Sequence, residues 1–253
     1  MEFLRPVQSV LAFLTILPSG ERNHDISYVA KNMHLFPIVG LAIGAIVGAM
    51  AFGISVVGLH PLLVGLLVTG ALVIITGVHH TDALADFADG LMAKGDKEVK
   101  HKAMIDPAVG SAGVAALVMY FAGMIIVFNT GLSGLAILTS IMSAEVMAKY
   151  VMVLLANRGP SAWEGLSSPF TTAMKDSRKI AAATGIMLVI IWFSSSYAGL
   201  VALGVSLIIA AILRYVSGRS FGGISGDVLG ASNELVRLSS LIVLTSIPVI
   251  SIG

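Results

Sequence analysis

Long apolar stretches recur along this chain, and most are close in length to a bilayer crossing. The sequence is 57% hydrophobic and only 11% charged, whereas soluble domains average about 25% charged residues. The apolar stretches cover residues 36–59, 62–79, 111–128, 133–155, 180–197, 199–213 and 235–253. A helix needs about 20 apolar residues to cross a bilayer. The sequence therefore predicts an all-α fold, a polytopic membrane helical bundle with about seven transmembrane helices in a single domain.

Positive charge is concentrated in a few segments between the apolar stretches. Thirteen of the 15 Lys and Arg residues lie in the polar segments 1–35, 80–110, 156–179 and 214–234. Seven spans place all four segments on one side of the membrane, and the excess of Lys and Arg makes that side cytoplasmic. We therefore expect a multi-pass protein of the cell membrane, with its N-terminus inside and its C-terminus outside.

The N-terminal stretch 3–17 is apolar but too short to span a bilayer, and Arg5-Pro6 interrupts it. It is typical of an interfacial or re-entrant helix, or of a plain amphipathic anchor. It lacks a small-residue cleavage site, which argues against a removable signal peptide. The absence of Cys excludes disulfides and thiolate metal sites. The net charge of +1 indicates no nucleic-acid partner.

Three carboxylates follow the end of the second apolar stretch. Asp82, Asp86 and Asp89 lie within a narrow arc of about 60° if the segment is helical. Aspartate is costly beside lipid, and Mg²⁺ binds a few carboxylates together with waters and phosphate oxygens. A magnesium site is therefore favoured over Zn²⁺, which prefers Cys and suitably spaced His. Ordinary surface acids and an ion or proton relay are the alternatives.

The adjacent histidine does not fit this arc. On a continuous helix His80 points about 160° away from Asp82, whereas His79 lies nearer the carboxylates. Either the helix begins after His80, at the turn that Thr76-Gly77 allows, or His80 serves another purpose.

Two further polar segments have the composition of anion-binding loops. Glycines let backbone N–H groups approach a phosphate, and Ser and Arg side chains add donors. The first segment, 217–232, contains Arg219 and Asp227; the second, 100–113, contains Lys102 and Asp106. Local spacing suggests that Glu145 pairs with Lys149 and that Glu234 pairs with Arg237. Together these features suit a membrane-embedded phosphoryl-group transferase, whose chemistry depends on positioning and charge neutralisation.

Six motifs in order resemble the cobalamin synthase family, also called adenosylcobinamide-GDP ribazoletransferase. The motifs are Phe13-Leu-Thr-Ile-Leu-Pro18, Phe36-Pro-Ile-Val-Gly40, Thr76-Gly77 with His80-x-Asp82-x-Leu-Ala-Asp86-x-x-Asp89-Gly90, Asp106-x-x-x-Gly110-x-x-Gly113, Glu164-Gly-Leu166 and Gly222-Gly-x-Ser-Gly-Asp-x-x-Gly-Ala231. One such motif is weak evidence, whereas six in family order are specific.

The resemblance implies an enzyme of the last assembly step of cobalamin biosynthesis. It implies that adenosylcobinamide-GDP is joined to α-ribazole, or to its 5′-phosphate, with release of GMP and with Mg²⁺ as cofactor. A homo-oligomer and an active site on the cytoplasmic face are further expectations. The implied metal ligands are Asp82, Asp86, Asp89 and Asp227, and the candidate catalytic residues are His80 and Asp82. The candidate substrate-binding residues are Lys102, Asp106, Arg219, Gly223, Ser225, Gly226 and Glu234.

The chain also departs from the family pattern. Ala83 stands where many members carry Gly, and Ile105 and Ala108 stand where many carry basic residues. A CDP-alcohol phosphotransferase is the alternative enzyme, because Asp86-x-x-Asp89-Gly90 matches the start of its motif, but the Ala-Arg that should follow is missing. A membrane ion or metabolite transporter is the alternative from another class, although it predicts repeated halves that the sequence does not clearly show.

Overall fold

The computed structural model describes residues 4–20, 25–130, 132 and 134–247. Their secondary structure is helical, apart from one parallel bridge between Ser161 and Ile224. The helices are α1 (Arg5–Leu14), α2 (Ile26–Lys31), a 3₁₀ turn (Met33–Leu35), α3 (Phe36–Val56), α4 (Pro61–Ile75), α5 (His79–Met92), α6 (Lys97–Met104), α7 (Ser111–Ile126), α8 (Leu135–Arg158), α9 (Ser167–Ala173), α10 (Ser177–Ser220) and α11 (Gly226–Ser246). The all-α prediction is confirmed. Residues 1–3, Arg22 in the first polar segment and residues 248–253 of the last predicted span lie outside the described residues.

Every predicted apolar stretch corresponds to a helix, although the helices differ in length. Within the described residues, five helical stretches are long and apolar enough to cross a membrane: Met33–Val56, Leu135–Arg158, Ser177–Ser195, Tyr197–Ser220 and Gly226–Ser246. The second and third predicted spans are α4 and α7, with 15 and 16 residues. Both are shorter than the usual crossing of about 20 residues. Helix α4 becomes a sixth candidate span only together with α5, from which it is bent by 92°.

Helix α10 contains two of the predicted spans, and its backbone stays helical where the stretches 180–197 and 199–213 meet. The chain nevertheless bends sharply at that point. A Cβ added to Gly199 would lie 2.5 Å from Ile191 Cγ2, although residues eight apart in a straight helix are separated by about 12 Å along the axis. Ser143 of α8 forms hydrogen bonds with Ser194 and Ser195 beside this bend, at 2.6 and 2.5 Å. The two halves of α10 are therefore separate candidate spans joined by a bend.

Helix α8 is buried along most of its length and packs against α3, α10 and α11. Small residues four apart allow membrane helices to approach closely, and the Gly40-x3-Gly44-x3-Gly48 spacing of α3 faces α8 in this way. A Cβ at Gly40 would lie 2.6 Å from the carbonyl oxygen of Glu145, and one at Gly44 would lie 2.6 Å from Met142 Cα. These glycines therefore set the distance between α3 and α8.

The predicted anion-binding loop 217–232 is wrong as a loop, because helices occupy most of it. Helix α10 continues to Ser220 and α11 begins at Gly226, which leaves only residues 221–225 between them. Ser225 is the N-cap of α11, and its hydroxyl accepts a hydrogen bond from the Val228 N–H at 3.2 Å. The first turns of α11 are buried in the bundle, so their polar residues face other helices rather than solvent.

Helix α1 is the predicted N-terminal amphipathic helix. It buries Ser9, Val10 and Leu14 and leaves Arg5 exposed. The segment after it is held against the end of α4, because the Ile16 N–H donates to the Ile75 carbonyl at 2.8 Å. This contact brings the C-terminal end of α1 to the bend between α4 and α5.

Candidate active site

A cavity of about 740 Å³ lies at this bend, within the size range of ligand pockets, about 300–1,000 Å³. It has two chemically different walls. The polar wall comes from the end of α4, from α5 and from α11, and includes Thr76, His79, His80, Asp82, Gly226 and Asp227. The apolar wall comes mainly from α1, α3 and α9 and includes Phe13, Leu14, Met33, Phe36, Met152 and Phe170.

The polar wall depends on a close crossing of α5 and α11. Gly230 packs directly on Ala83, and a Cβ at Gly230 would overlap the Ala83 methyl group. Asp82 immediately precedes Ala83, and Asp227 lies three residues before Gly230. The crossing therefore brings two carboxylates from helices distant in sequence to the same wall of the cavity.

The crossing leads to a rescue prediction. We expect Gly230→Ala to force α5 and α11 apart and to destabilise the protein by about 1–3 kcal/mol, because overpacked helix contacts cost that much. Adding Ala83→Gly to this variant moves the methyl group from one helix to the other and should restore most of the stability. Thermal unfolding in detergent measures both effects, and Gly185→Ala, where nothing lies within 4 Å of the added Cβ, is the control. A double variant no more stable than Gly230→Ala alone would contradict the packing argument.

Four carboxylates gather along α5 and the start of α11. Asp86 interacts electrostatically with Asp82, Asp227 and Asp89, and Asp227 also interacts with Asp82. Within the described part of the chain, however, no three His, Asp or Glu side chains form a group that could hold a metal ion as they stand. The predicted arc of aspartates on α5 thus exists as a concentration of negative charge, without a preformed cage of ligands.

Asp89 differs from the other three carboxylates because both of its oxygens already accept hydrogen bonds. Its Oδ2 accepts from the Gly110 N–H at 2.7 Å, and its Oδ1 accepts from the Gly113 N–H at 2.8 Å. These groups form the N-terminus of α7, where a carboxylate satisfies unpaired N–H donors. A Cβ at Gly110 would lie 2.5 Å from Asp89 Oδ1, so the contact explains the glycine. Asp89 therefore joins α5 to α7.

His80 lies on a continuous helix and faces the bundle interior. The start of α5 after His80 is wrong, because the Asp82 N–H already donates to the Val78 carbonyl at 3.0 Å. Gly77 and Val78, with φ of 65° and 68°, make the turn before the helix. The buried His80 ring lies 3.4 Å, Nε2 to Nζ, from Lys149 of α8. The second alternative therefore holds: His80 does not point along the aspartate arc, although it still lines the cavity.

Lys149 belongs to a buried polar network beneath the cavity. Its ammonium donates to Asn233 Oδ1 at 2.6 Å and lies 4.0 Å from Glu145. The centre of the network is Arg237, which donates to Glu145 of α8 and to Glu234 of its own helix. The predicted local pairs of Glu145 with Lys149 and of Glu234 with Arg237 are confirmed. The contact between Arg237 and Glu145 was not predicted, because the two residues are far apart in sequence.

Arg237 also donates to the Tyr120 hydroxyl of α7 at 3.1 Å. The network thus joins α7, α8 and α11 through one guanidinium group. Glu234, a predicted substrate-binding residue, is fully buried in this network and does not line the cavity.

The predicted phosphate-binding residues of the 217–232 segment lie in different environments. Gly226 lines the cavity. Ser225 is buried as the α11 N-cap. Gly223 is buried where the Ile224 N–H donates to the Pro160 carbonyl at 2.8 Å, and its backbone packs against that segment. Only the end of the predicted loop therefore reaches the cavity.

The remaining predicted substrate contacts do not line the cavity in this structure. Lys102 and Asp106 are exposed around the end of α6, where Asp106 accepts a hydrogen bond from the Ala108 N–H at 2.9 Å. Arg219 is exposed at the end of α10 and donates to the Tyr215 hydroxyl at 2.8 Å. The binding roles of these residues stay predictions.

A different basic residue approaches the carboxylates. His101 of α6 interacts electrostatically with Asp227 and stacks on Trp163, with ring centroids 3.8 Å apart. Sequence reasoning singled out the neighbouring Lys102 and missed His101. The stacking partner Trp163 is far from His101 in sequence, so the sequence carried little signal for this contact.

The fold and cavity define a polytopic helical membrane protein with a ligand-sized site that is acidic on one side and aromatic on the other. The profile of the cobalamin-5-phosphate synthase family matches residues 6–245. The chain belongs to this family, as the motif resemblance predicted. Among solved structures, none gives a significant match.

Curated relatives cover almost the whole chain. A protein of Archaeoglobus fulgidus named adenosylcobinamide-GDP ribazoletransferase is 32% identical over 96% of this chain and 97% of its own length. Relatives with the same name from Methanocella arvoryzae and Chlorobium chlorochromatii are 30% and 32% identical, over 94% and 91% of this chain and 94% and 92% of their own lengths. These matches support an enzyme of this kind and give no support to the CDP-alcohol phosphotransferase or transporter alternatives.

Proposed function

We propose that this protein joins adenosylcobinamide-GDP to α-ribazole, or to its 5′-phosphate, and releases GMP. The product is adenosylcobalamin or its 5′-phosphate. The observation that carries the proposal is the pairing of Asp82 and Asp227 on one wall of a ligand-sized cavity in a chain of this family. Carboxylates that face a cavity beside apolar helices need a cationic partner, and a diphosphate substrate arrives with one.

The reaction transfers a phosphoryl group between two oxygens. A hydroxyl oxygen of the ribazole bonds to the phosphorus attached to cobinamide, and the bond from that phosphorus to the GMP oxygen breaks. The hydroxyl proton is lost, and GMP leaves with the electron pair. Such chemistry depends mainly on alignment and on neutralising the charge of the leaving group. A chain without Cys can therefore perform it.

Mg²⁺ is the proposed cofactor, and the donor set fits it. Mg²⁺ is usually held by one or two carboxylates while substrate phosphates and waters complete its shell. Asp82 and Asp227 would hold the ion, with Asp86 close enough to add negative charge. When bound, Mg²⁺ would neutralise charge on the phosphate oxygens.

Other residues of the polar wall would orient the substrates. The Lys149 ammonium has donors only, so it occupies the Nε2 lone pair of His80 and leaves Nδ1–H to donate to a substrate oxygen. Gly226 would bring backbone close to the phosphates at the N-terminus of α11. Asp89 would act more indirectly, by fixing α5 against α7.

A transfer assay tests this function. Purified protein in detergent or nanodiscs should release GMP when adenosylcobinamide-GDP, α-ribazole and Mg²⁺ are all present. Omission of α-ribazole, or addition of EDTA, should stop the release. GMP release that is independent of α-ribazole would indicate a hydrolase. Full release in EDTA would remove the metal from the proposal.

The proposed orientation, with the polar wall on the cytoplasmic face, rests on the distribution of Lys and Arg. Because the chain contains no Cys, single-cysteine variants test it cleanly. We expect Lys94→Cys, in the exposed segment after α5, to react with an impermeant maleimide only in inverted vesicles. His60→Cys, exposed between α3 and α4, should react only in right-side-out vesicles. Permeabilised vesicles, in which both should react, are the control, and the opposite labelling pattern would reverse the orientation.

A further inference from the structure

The apolar wall of the cavity contains a cluster of three phenyl rings. Phe13 of α1 lies 5.4 Å from Phe170 of α9 and 6.4 Å from Phe36 of α3, and Phe36 lies 6.2 Å from Phe170, between ring centroids. These distances fall in the range of favourable aromatic pairs, about 4.5–7 Å. The three rings come from separate helices, so tertiary structure alone creates this aromatic surface.

The rings are not equally accessible. Phe36 and Phe170 are buried, with 1% and 3% exposure, whereas Phe13 is only partly buried. All three line the cavity. Phe13 is therefore the most exposed of the three lining rings, and the other two rings pack against it. The hydrogen bond from the Ile16 N–H to the Ile75 carbonyl holds the C-terminal end of α1, which contains Phe13, against the end of α4.

The same cavity continues from these rings to Asp82 and Asp227. A ligand that fills it needs a flat apolar part at one end and a reacting oxygen or phosphate at the other. The corrin ring carries many polar amide groups, and a diphosphate requires cations, so neither matches a wall of phenyl rings. The guanine of the donor is flat, but its carbonyl, amino and ring N–H groups would lose their hydrogen bonds against such a wall. The base of α-ribazole is a flat aromatic ring, and its ribose carries the attacking hydroxyl.

We propose that Phe13, Phe36 and Phe170 form the binding site for the aromatic base of the acceptor. The base packs on Phe13, and the ribose hydroxyl is directed to the carboxylate wall. This inference rests on the proposed function for the identity of the acceptor. It assigns the N-terminal helix a direct part in acceptor recognition, which its amphipathic sequence alone does not indicate.

The test measures binding without catalysis. Equilibrium dialysis with labelled α-ribazole, in the absence of adenosylcobinamide-GDP, gives Kd for the wild type, Phe13→Ala and Phe13→Tyr. Base–aromatic stacking contributes enough that Phe13→Ala should weaken binding by about 5- to 100-fold, while Phe13→Tyr, which keeps the ring, should bind within about three-fold of the wild type. Phe193→Ala, which truncates an exposed aromatic ring away from the cavity, is the control and should leave Kd unchanged.

A second ligand separates recognition of the base from recognition of the sugar. Methyl α-riboside lacks the base, so Phe13→Ala should not change its affinity, as judged by its competition with labelled α-ribazole. Unchanged α-ribazole affinity in a folded Phe13→Ala variant would overturn the proposal, and so would an equal loss for both ligands. Because binding is measured without the donor, a wild type that binds α-ribazole but releases no GMP would refute the proposed transfer and leave the acceptor site supported. If the wild type releases GMP but Phe13→Ala binds α-ribazole with the wild-type Kd, the acceptor site alone is refuted.

Discussion

Replacing either Asp82 or Asp227 by asparagine is expected to lower the rate of GMP release by at least about 100-fold, because each variant removes one charge that positions the diphosphate and its cation. The two residues lie on different helices but on the same cavity wall. Asparagine keeps the shape of aspartate, so the fold should survive. The double variant should be little worse than either single variant, since both residues act on one group.

Two controls accompany these variants. Glu98→Gln removes an exposed acid of α6 that lies outside the cavity, and it should retain wild-type activity. Binding of Mn²⁺, measured by electron paramagnetic resonance in the presence of adenosylcobinamide-GDP, should weaken in the Asp82 and Asp227 variants but not in this control. Full activity in both aspartate variants would remove the carboxylate pair from the mechanism.

The second large effect concerns folding. We expect Arg237→Met to destabilise the protein by about 3–5 kcal/mol, because it leaves the carboxylates of Glu145 and Glu234 buried without their shared cation. Stabilities of whole proteins are only about 5–15 kcal/mol, so little folded protein should remain. The recovery of monodisperse protein in detergent and the unfolding midpoint measure this loss. Arg214→Met, at an exposed position of α10, is the control and should behave as the wild type.

A compensated variant separates charge imbalance from loss of packing. Replacing only Glu234 by Gln in the Arg237→Met background restores the charge balance, because Glu145 keeps Lys149 as its partner, and we expect it to recover a substantial part of the stability. No recovery would mean that the guanidinium acts chiefly through packing. Wild-type stability of Arg237→Met itself would contradict the structural role of the network.

Much of the fold could be predicted from the sequence because apolar length is a local property. Helices occupy most of the described part of each apolar stretch, and the glycines of α3 pack closely on α8. The sequence did not show that the two spans of α10 are joined by a bent helix rather than by a loop. The last span was predicted to begin at residue 235, whereas α11 begins at Gly226. The sequence misleads here because buried polar residues such as Glu234 resemble loop residues.

The site was predictable only in part, for a similar reason. The shared face of the α5 aspartates follows from helical periodicity. The pairing of Asp82 with Asp227 depends on the crossing of α5 and α11, and the Arg237–Glu145 contact joins residues on two helices. Local spacing cannot show either contact. It also cannot show that Asp89 is bound to the start of α7, or that Phe13 and Phe170 meet.

The most direct test of the transfer is to identify both products by mass spectrometry. Purified protein is incubated with adenosylcobinamide-GDP, α-ribazole and Mg²⁺, with the attacking hydroxyl of the α-ribazole labelled with ¹⁸O. Attack on the cobinamide-bound phosphorus predicts adenosylcobalamin that carries the label in its phosphodiester, together with an equal amount of unlabelled GMP. Formation of guanylylated ribazole and adenosylcobinamide phosphate, or no product from folded protein that binds both substrates, would contradict the proposed reaction.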